Sequence, residues 1–167
     1  ELAKIGASGP GFAVHSDIVT PYFINYGSEK QKNSYLPKMI KGEIITAIAM
    51  SEPETGSDLQ NIKTRASIND NEIVLSGSKT FITNGQNADV ILVVAKTDTS
   101  KGAKGISILL CEKNRKGFKK GKNLKKIGMK AQDTSELFFD EVILPKENIL
   151  GVPGHGFVQL MDELPQE

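Results

Sequence analysis

From residue 44 to residue 139 the chain repeats one pattern. Short β-branched or apolar runs alternate with Asn, Asp and Gly turns such as Asn69-Asp70-Asn71. Such runs predict strands at 44–50, 64–68, 72–75, 79–83, 90–96, 106–111 and 136–139, with 119–125 as a weaker candidate. No helical periodicity separates them, which points to an antiparallel β-sandwich or barrel. Residues 90–94 and 106–110 are apolar almost throughout, so they are expected at the centre, covered on both faces.

Helical patterns flank this β-rich stretch. Residues 1–7 and 12–25 read as helical, separated by Gly9-Pro10-Gly11, where a missing N–H and two glycines oppose a continuous helix. The break reads equally as an inter-helix turn or as room opened beside a pocket. Ser28 and Gln31 form a capping box at the start of the next helix. Tyr35, Leu36, Met39 and Ile40 give it one apolar face, Pro37 interrupts it, and it should end near Gly42. After a linker marked by Pro145, Pro153 and Gly154, a last helix is expected from about Gly156, with Phe157, Leu160, Met161 and Leu164 on one face. The expected organisation is therefore 1–42 helical, 43–150 β, and 151–167 linker and helix, an α+β chain. Its 167 residues suit one domain, or one with an appendage.

Charge is unevenly distributed. Nine basic and no acidic residues lie in 113–130, leaving 12 basic and 20 acidic elsewhere. Only Phe118 interleaves these lysines, so the stretch reads as a solvated hairpin and not as a nucleic-acid surface. No apolar run is long enough to span a bilayer. Cys111 is the only cysteine, which excludes an internal disulfide, and its apolar strand suits an inert thiol. His15 and His155 have no partners at ligand spacing, so no metal site is expected. No glycine fingerprint follows a strand, and no nucleophile elbow is present.

Two segments carry the chemistry. Ala47-Ile48-Ala49-Met50-Ser51-Glu52-Pro53-Glu54-Thr55-Gly56-Ser57-Asp58 runs from an apolar strand into a turn with hydroxyls and acids. Thr80-Phe81-Ile82-Thr83-Asn84-Gly85 again sets an aromatic and hydroxyls at a strand end. Strand ends of this kind free backbone N–H groups for an anion or a flat ligand. Glu52 and Asp58 read better as loop-holding groups than as paired acid and base, since Asp commonly bonds nearby backbone. Phe81 taken alone reads as core.

Together the two segments resemble the flavin-binding segments of the acyl-CoA dehydrogenase family, M-[ST]-E-P-x-x-G-S-D and [WF]-I-[ST]-N-G. Residues 6–12 (G-A-S-G-P-G-F), Gly27-Ser28-Glu29, Lys130-Ala131-Gln132-Asp133-Thr134 and Glu163-Leu164-Pro165-Gln166-Glu167 resemble its long-chain branch. The resemblance covers essentially the whole chain, and implies that it corresponds to the middle portion of such an enzyme, with both helical parts truncated. It implies FAD as cofactor, with the backbone of Ile48, Ala49, Met50 and Ser51 along the flavin. Ser51 and Thr83 would bond its ring, Phe81 and Ile82 would sit beside it, and Gly56 and Ser57 would lie near its phosphates. Ser57, Pro165, Gln166 and Glu167 are the implied substrate contacts.

The implied reaction is α,β-dehydrogenation of a medium- to long-chain acyl-CoA in fatty acid β-oxidation. A glutamate takes the α-proton and a hydride passes to the flavin. That base is expected beyond Glu167, so no catalytic residue is assigned and the segment alone is expected to be inactive. An electron-transferring flavoprotein is the implied electron acceptor and a homotetramer the implied assembly. The implied location is the cytoplasm in a bacterium or the mitochondrial matrix in a eukaryote. Two departures stand out: Glu54-Thr55 replaces a small pair, and Asn61 a small residue, so crowding of the turn is expected. A non-catalytic β-sandwich binding module and a sister flavoenzyme on the same scaffold are the alternatives.

Overall fold

A computed structural model describes residues 1–7 and 9–166. The order of elements is helical, then β, then helical. A short 3-10 turn, Leu2–Ile5, stands where a helix over 1–7 was expected. Residues 12–26 are helical as one piece, a π-helical stretch Val14–Val19 running into α1, Thr20–Tyr26. The second helix is α2, Glu29–Ile40. Its capping box is formed: the Ser28 hydroxyl accepts from the Gln31 backbone N–H at 3.2 Å, and the Gln31 side-chain Oε1 accepts from the Ser28 N–H at 2.8 Å. Pro37 is accommodated inside the helix. Met39 is buried as expected, whereas Ile40, the last helical residue, is 86% exposed.

The strands are β1 Thr46–Ala49, β2 Arg65–Ile68, β3 Glu72–Thr83, β4 Val90–Lys96, β5 Ile106–Glu112, β6 Phe118–Asn123, β7 Thr134–Pro145 and β8 Ile149–Leu150. They join in the order β6-β7-β3-β2-β4-β5-β8, with β1 beside β4. A single pair, Arg65↔Lys96, links β2 to β4. The sheet therefore falls into two halves, β6-β7-β3-β2 and β1-β4-β5-β8.

Side-chain parity on β4 and β5 fixes the layers. Ile91, Val93, Leu109 and Cys111 point between the two halves, against Ile73, Leu75, Leu137, Phe139, Val142 and Leu144. Leu92, Val94, Ile106, Ile108 and Leu110 point the other way, against Val19, Tyr22, Phe23, Met39 and Leu160 of the helices. Both central strands are thus covered on both faces, as their composition requires.

Three expectations are corrected. First, the sheet is mixed, because β1 runs parallel to β4 from Thr46↔Val90 to Ala49↔Val93, and β2 meets β4 in parallel. The intervening β2–β3 excursion is long enough for the crossover that parallel pairing needs. Second, 72–75 and 79–83 are one strand, with register shifts at Leu75/Gly77 and Lys79/Ile82. The Ser-Gly-Ser stretch marks a bulge, not an interruption. β7 likewise runs on to Pro145, past the positive-φ residue Glu141. Third, the last helix, α3 (Gly156–Glu163), buries Gly156, Gln159, Leu160 and Glu163, while Met161 and Leu164 stay exposed. Its polar residues are anchored: Gln159 donates to the Leu150 carbonyl at 3.1 Å, and Asn25 donates to Glu163 at 2.7 Å.

Candidate functional site

β1 and the end of β3 lie side by side. The Thr80 N–H donates to the Ser51 carbonyl at 2.9 Å. The Asn84 amide donates to the carbonyls of Thr46 (3.1 Å) and Gly11 (3.2 Å). These contacts bracket the two segments in opposite directions, so Met50-Ser51 faces the Thr80-Phe81 stretch. The Gly9-Pro10-Gly11 break is drawn onto the same place. A Cβ on Gly11 would stand 2.3 Å from the Asn84 amide oxygen, so a side chain here would push the Asn84 amide out of these bonds.

Underneath sits an ion pair that the sequence pattern did not reveal. Lys79 has no exposed surface. Its ammonium donates to the Met50 carbonyl at 2.8 Å and pairs with Glu52 at 2.9 Å. Glu52 also accepts from the N–H groups of Lys63 (2.5 Å) and Thr64 (3.0 Å). Burial alone would raise the Glu52 carboxyl, but the Lys79 charge and these N–H donors outweigh it and hold it below the ordinary carboxylate value. Burial pushes the Lys79 ammonium down to about 8, with Glu52 opposing the shift. The loop-holding role read for Glu52 is what the geometry shows.

Phe81 is not core. It is 69% exposed and its backbone has φ 59°. A bulky residue in the left-handed region costs on the order of 1–3 kcal/mol, and such outliers gather at ligand sites. The bulge between Lys79 and Ile82 is the cause: in a regular strand Lys79 and Phe81 would share a face, whereas here one is buried and the other stands in solvent.

The remaining residues divide clearly. Ala49 and Ile82 have buried side chains, so only their backbones are available to a ligand, while Ile48 and Met50 are half-buried and pack toward the helices. Ser51 and Thr83 are half-buried at the strand ends. Gly56 and Ser57 are exposed, and a Cβ on Gly56 would meet nothing within 4 Å. The two departures in the turn compensate each other. Thr55 is buried and its hydroxyl donates to the Asn61 carbonyl at 3.3 Å, while the Asn61 amide donates to Asp58. Asp58 thereby closes the 3-10 turn Leu59–Asn61 through a side chain. Pro165 and Gln166 lie in the separate turn Leu164–Gln166 after α3, and Glu167 lies outside the described residues.

The pair of segments fits a flavin in its chemistry. It offers a freely presented aromatic face, hydroxyl donors in Ser51, Thr83 and Ser57, and open space over Gly56.

Elsewhere the structure is quieter. An open cleft of about 1320 Å³ lies between the 113–117 turn and β7, floored by Val74 and Ile143, and shares no residue with this site. Four of the nine basic residues in 113–130 are tied down: Lys113 to Asp89 (2.6 Å), Arg115 to Glu112 (2.7 Å), Lys120 to the Gln86 and Ala88 carbonyls, and Lys126 to Gln132 and Thr134. Cys111 is buried, and burial pushes its thiol up to about 12. His15 bridges the Thr46 hydroxyl (2.8 Å) and the Met39 carbonyl (3.2 Å). Among the described residues no group of His, Cys, Asp or Glu could hold a metal, and no helix is long and apolar enough to cross a membrane.

A two-part β-domain that presents a strand-end cradle, backed by helices on its far face, defines the class of protein. Residues 47–142 match the acyl-CoA dehydrogenase middle domain and residues 1–43 its N-terminal domain; the chain belongs to the acyl-CoA dehydrogenase family. It is 53% identical, over its whole length, to the mitochondrial long-chain specific acyl-CoA dehydrogenase of Sus scrofa, and 52% identical to that of Rattus norvegicus. It spans 39% of each. An acyl-CoA dehydrogenase from Geobacillus kaustophilus superposes with a TM-score of 0.95 at 50% identity, covering 99% of this chain and 44% of that one.

Proposed function

We propose that this chain forms the flavin cradle and part of the substrate site of an acyl-CoA dehydrogenase acting on medium- to long-chain thioesters. One observation carries the reading: an aromatic ring is held outward, at a backbone cost, beside two strand-end hydroxyls. FAD bound here would supply the hydride acceptor for α,β-dehydrogenation. The protein's own tasks are then separable. Phe81 excludes water from one side of the ring system. Ser51 and Thr83 donate to its polar edge. The 55–58 turn, opened by Gly56 and carrying the Ser57 hydroxyl, receives phosphate or thioester groups.

The proposal extends to fatty acid β-oxidation, with an electron-transferring flavoprotein as acceptor, a homotetrameric assembly and a mitochondrial or bacterial cytoplasmic setting; the relatives' names supply the long-chain acyl-CoA substrate and the mitochondrial setting. The division at residues 42 and 150 belongs to the same proposal.

Titration of FAD into the protein, followed by visible absorption and fluorescence, tests it. Phe81→Ala should weaken binding about tenfold, since stacking is worth about 0.5–1.5 kcal/mol beyond area burial. Ser57→Ala should weaken it less. Affinity untouched by Phe81→Ala would remove the reading's main support.

A further inference from the structure

We infer that the buried Lys79–Glu52 pair is the positioning element of the flavin cradle, holding Ser51 level with Phe81 whether or not the cofactor is present. The inference rests on the functional reading above. Three contacts carry it. Lys79 reaches across from β3 to the Met50 carbonyl, one residue before Ser51. Glu52, one residue after Ser51, closes on the same ammonium. The Thr80 N–H takes the Ser51 carbonyl itself. Ser51 is therefore fixed from both sides, and the strand that fixes it turns Phe81 outward two residues later. Glu52 in turn is anchored by the Lys63 and Thr64 N–H groups, which tie the cradle to the start of β2.

A fixed cradle needs no ordering when a ligand arrives, and affinity gains accordingly. The lock also depends on charge. Glu52 is the ionisable group acting on Lys79, and Lys79 the one acting on Glu52. The residue facing Lys79 from β7 is Leu137, and Lys63, on the approach to β2, has an exposed side chain. Lys79 loses its proton near pH 8, where its grip on both the carbonyl and the carboxylate weakens. Removing the Glu52 charge leaves the ammonium with desolvation alone, so its proton leaves at still lower pH.

The test is FAD affinity of the complete protein, read by flavin fluorescence from about pH 6 to about pH 10, for wild type and Glu52→Gln. Circular dichroism checks that each stays folded. Wild-type affinity should be level at low pH and fall as pH rises through about 8. Glu52→Gln should bind about tenfold more weakly at neutral pH, with its fall moved down by about one unit or more. A purely structural role would lower affinity without moving the midpoint. Wild-type binding indifferent to pH, or an unmoved midpoint in the folded variant, overturns this inference alone. Failure of the wild type to bind FAD at any pH overturns the functional reading, and this inference with it.

Discussion

Lys79→Met is expected to destabilise the chain by about 3–5 kcal/mol, the range found when one partner of a buried pair is removed. The stem fits, but the Glu52 carboxylate remains with only 3% of its side chain exposed and no counter-charge, and the Met50 carbonyl loses its donor. The sign of the pH dependence follows. In the wild type Glu52 is held below its ordinary value, so it contributes stability above that value which is lost as pH falls through the lower one. In Lys79→Met, burial without a counter-charge moves Glu52 upward, opposed only by the Lys63 and Thr64 N–H donors. The variant's deficit should therefore be largest at neutral pH and shrink on acidification. A double variant, Lys79→Met with Glu52→Leu, should recover most of the loss, because a well-packed apolar replacement of a buried pair is often neutral or better. Urea denaturation at two pH values measures all three. A deficit under about 1 kcal/mol, typical of exposed pairs, would mean that the pair is solvated.

Gly77→Ala should be nearly as damaging, for a steric reason. Gly77 has φ +147°, and a Cβ there would lie 2.7 Å from the Thr64 Cα and 2.6 Å from its hydroxyl. Backbone strain of about 1–3 kcal/mol adds to overpacking of about 1–3 kcal/mol, and one of the crowded atoms, the Thr64 Cα, is backbone that cannot rotate away. Thr64 also donates its N–H to Glu52 and its hydroxyl to the Ser78 carbonyl (3.2 Å). The substitution should accordingly loosen the Glu52 loop as well as β3, so FAD affinity should fall together with the urea midpoint. Stability lost with FAD affinity intact would show that the bulge and the cradle are independent.

These two positions show where the sequence could be read and where it could not. Strands β4 and β5 were legible because their apolar runs admit one environment, coverage on both faces. The capping box at Ser28 was legible because its bonds are local. The Met50-Ser51 and Phe81-Thr83 segments stood out as strand ends with unusual side chains. What escaped depends on contacts remote in sequence. The Phe81 bulge reverses the face of every residue after Lys79, and a one-residue slip leaves no compositional trace. The burial of Lys79, just before that bulge, has no local signal either, because it depends on Glu52 and the Met50 carbonyl, both remote in sequence. Thr55 and Asn61, read as intrusions into the turn, are hydrogen-bonded partners within it. Nothing in strand composition distinguishes the parallel β1–β4 pairing from an antiparallel one. The buried side of α3 was misjudged because Gln159 and Glu163 are held inside by specific bonds, which hydrophobic periodicity does not report.

The central claim is that the ends of β1 and β3 form one flavin cradle. Amide hydrogen exchange of the protein with and without FAD tests it most directly, because exchange reports which backbone the cofactor protects. Protection is predicted over residues 47–57 and 80–84, with the 113–130 hairpin unchanged. Protection confined to that hairpin or to the cleft at Glu112, Arg115 and Glu141, or no protection at saturating FAD, would contradict the account.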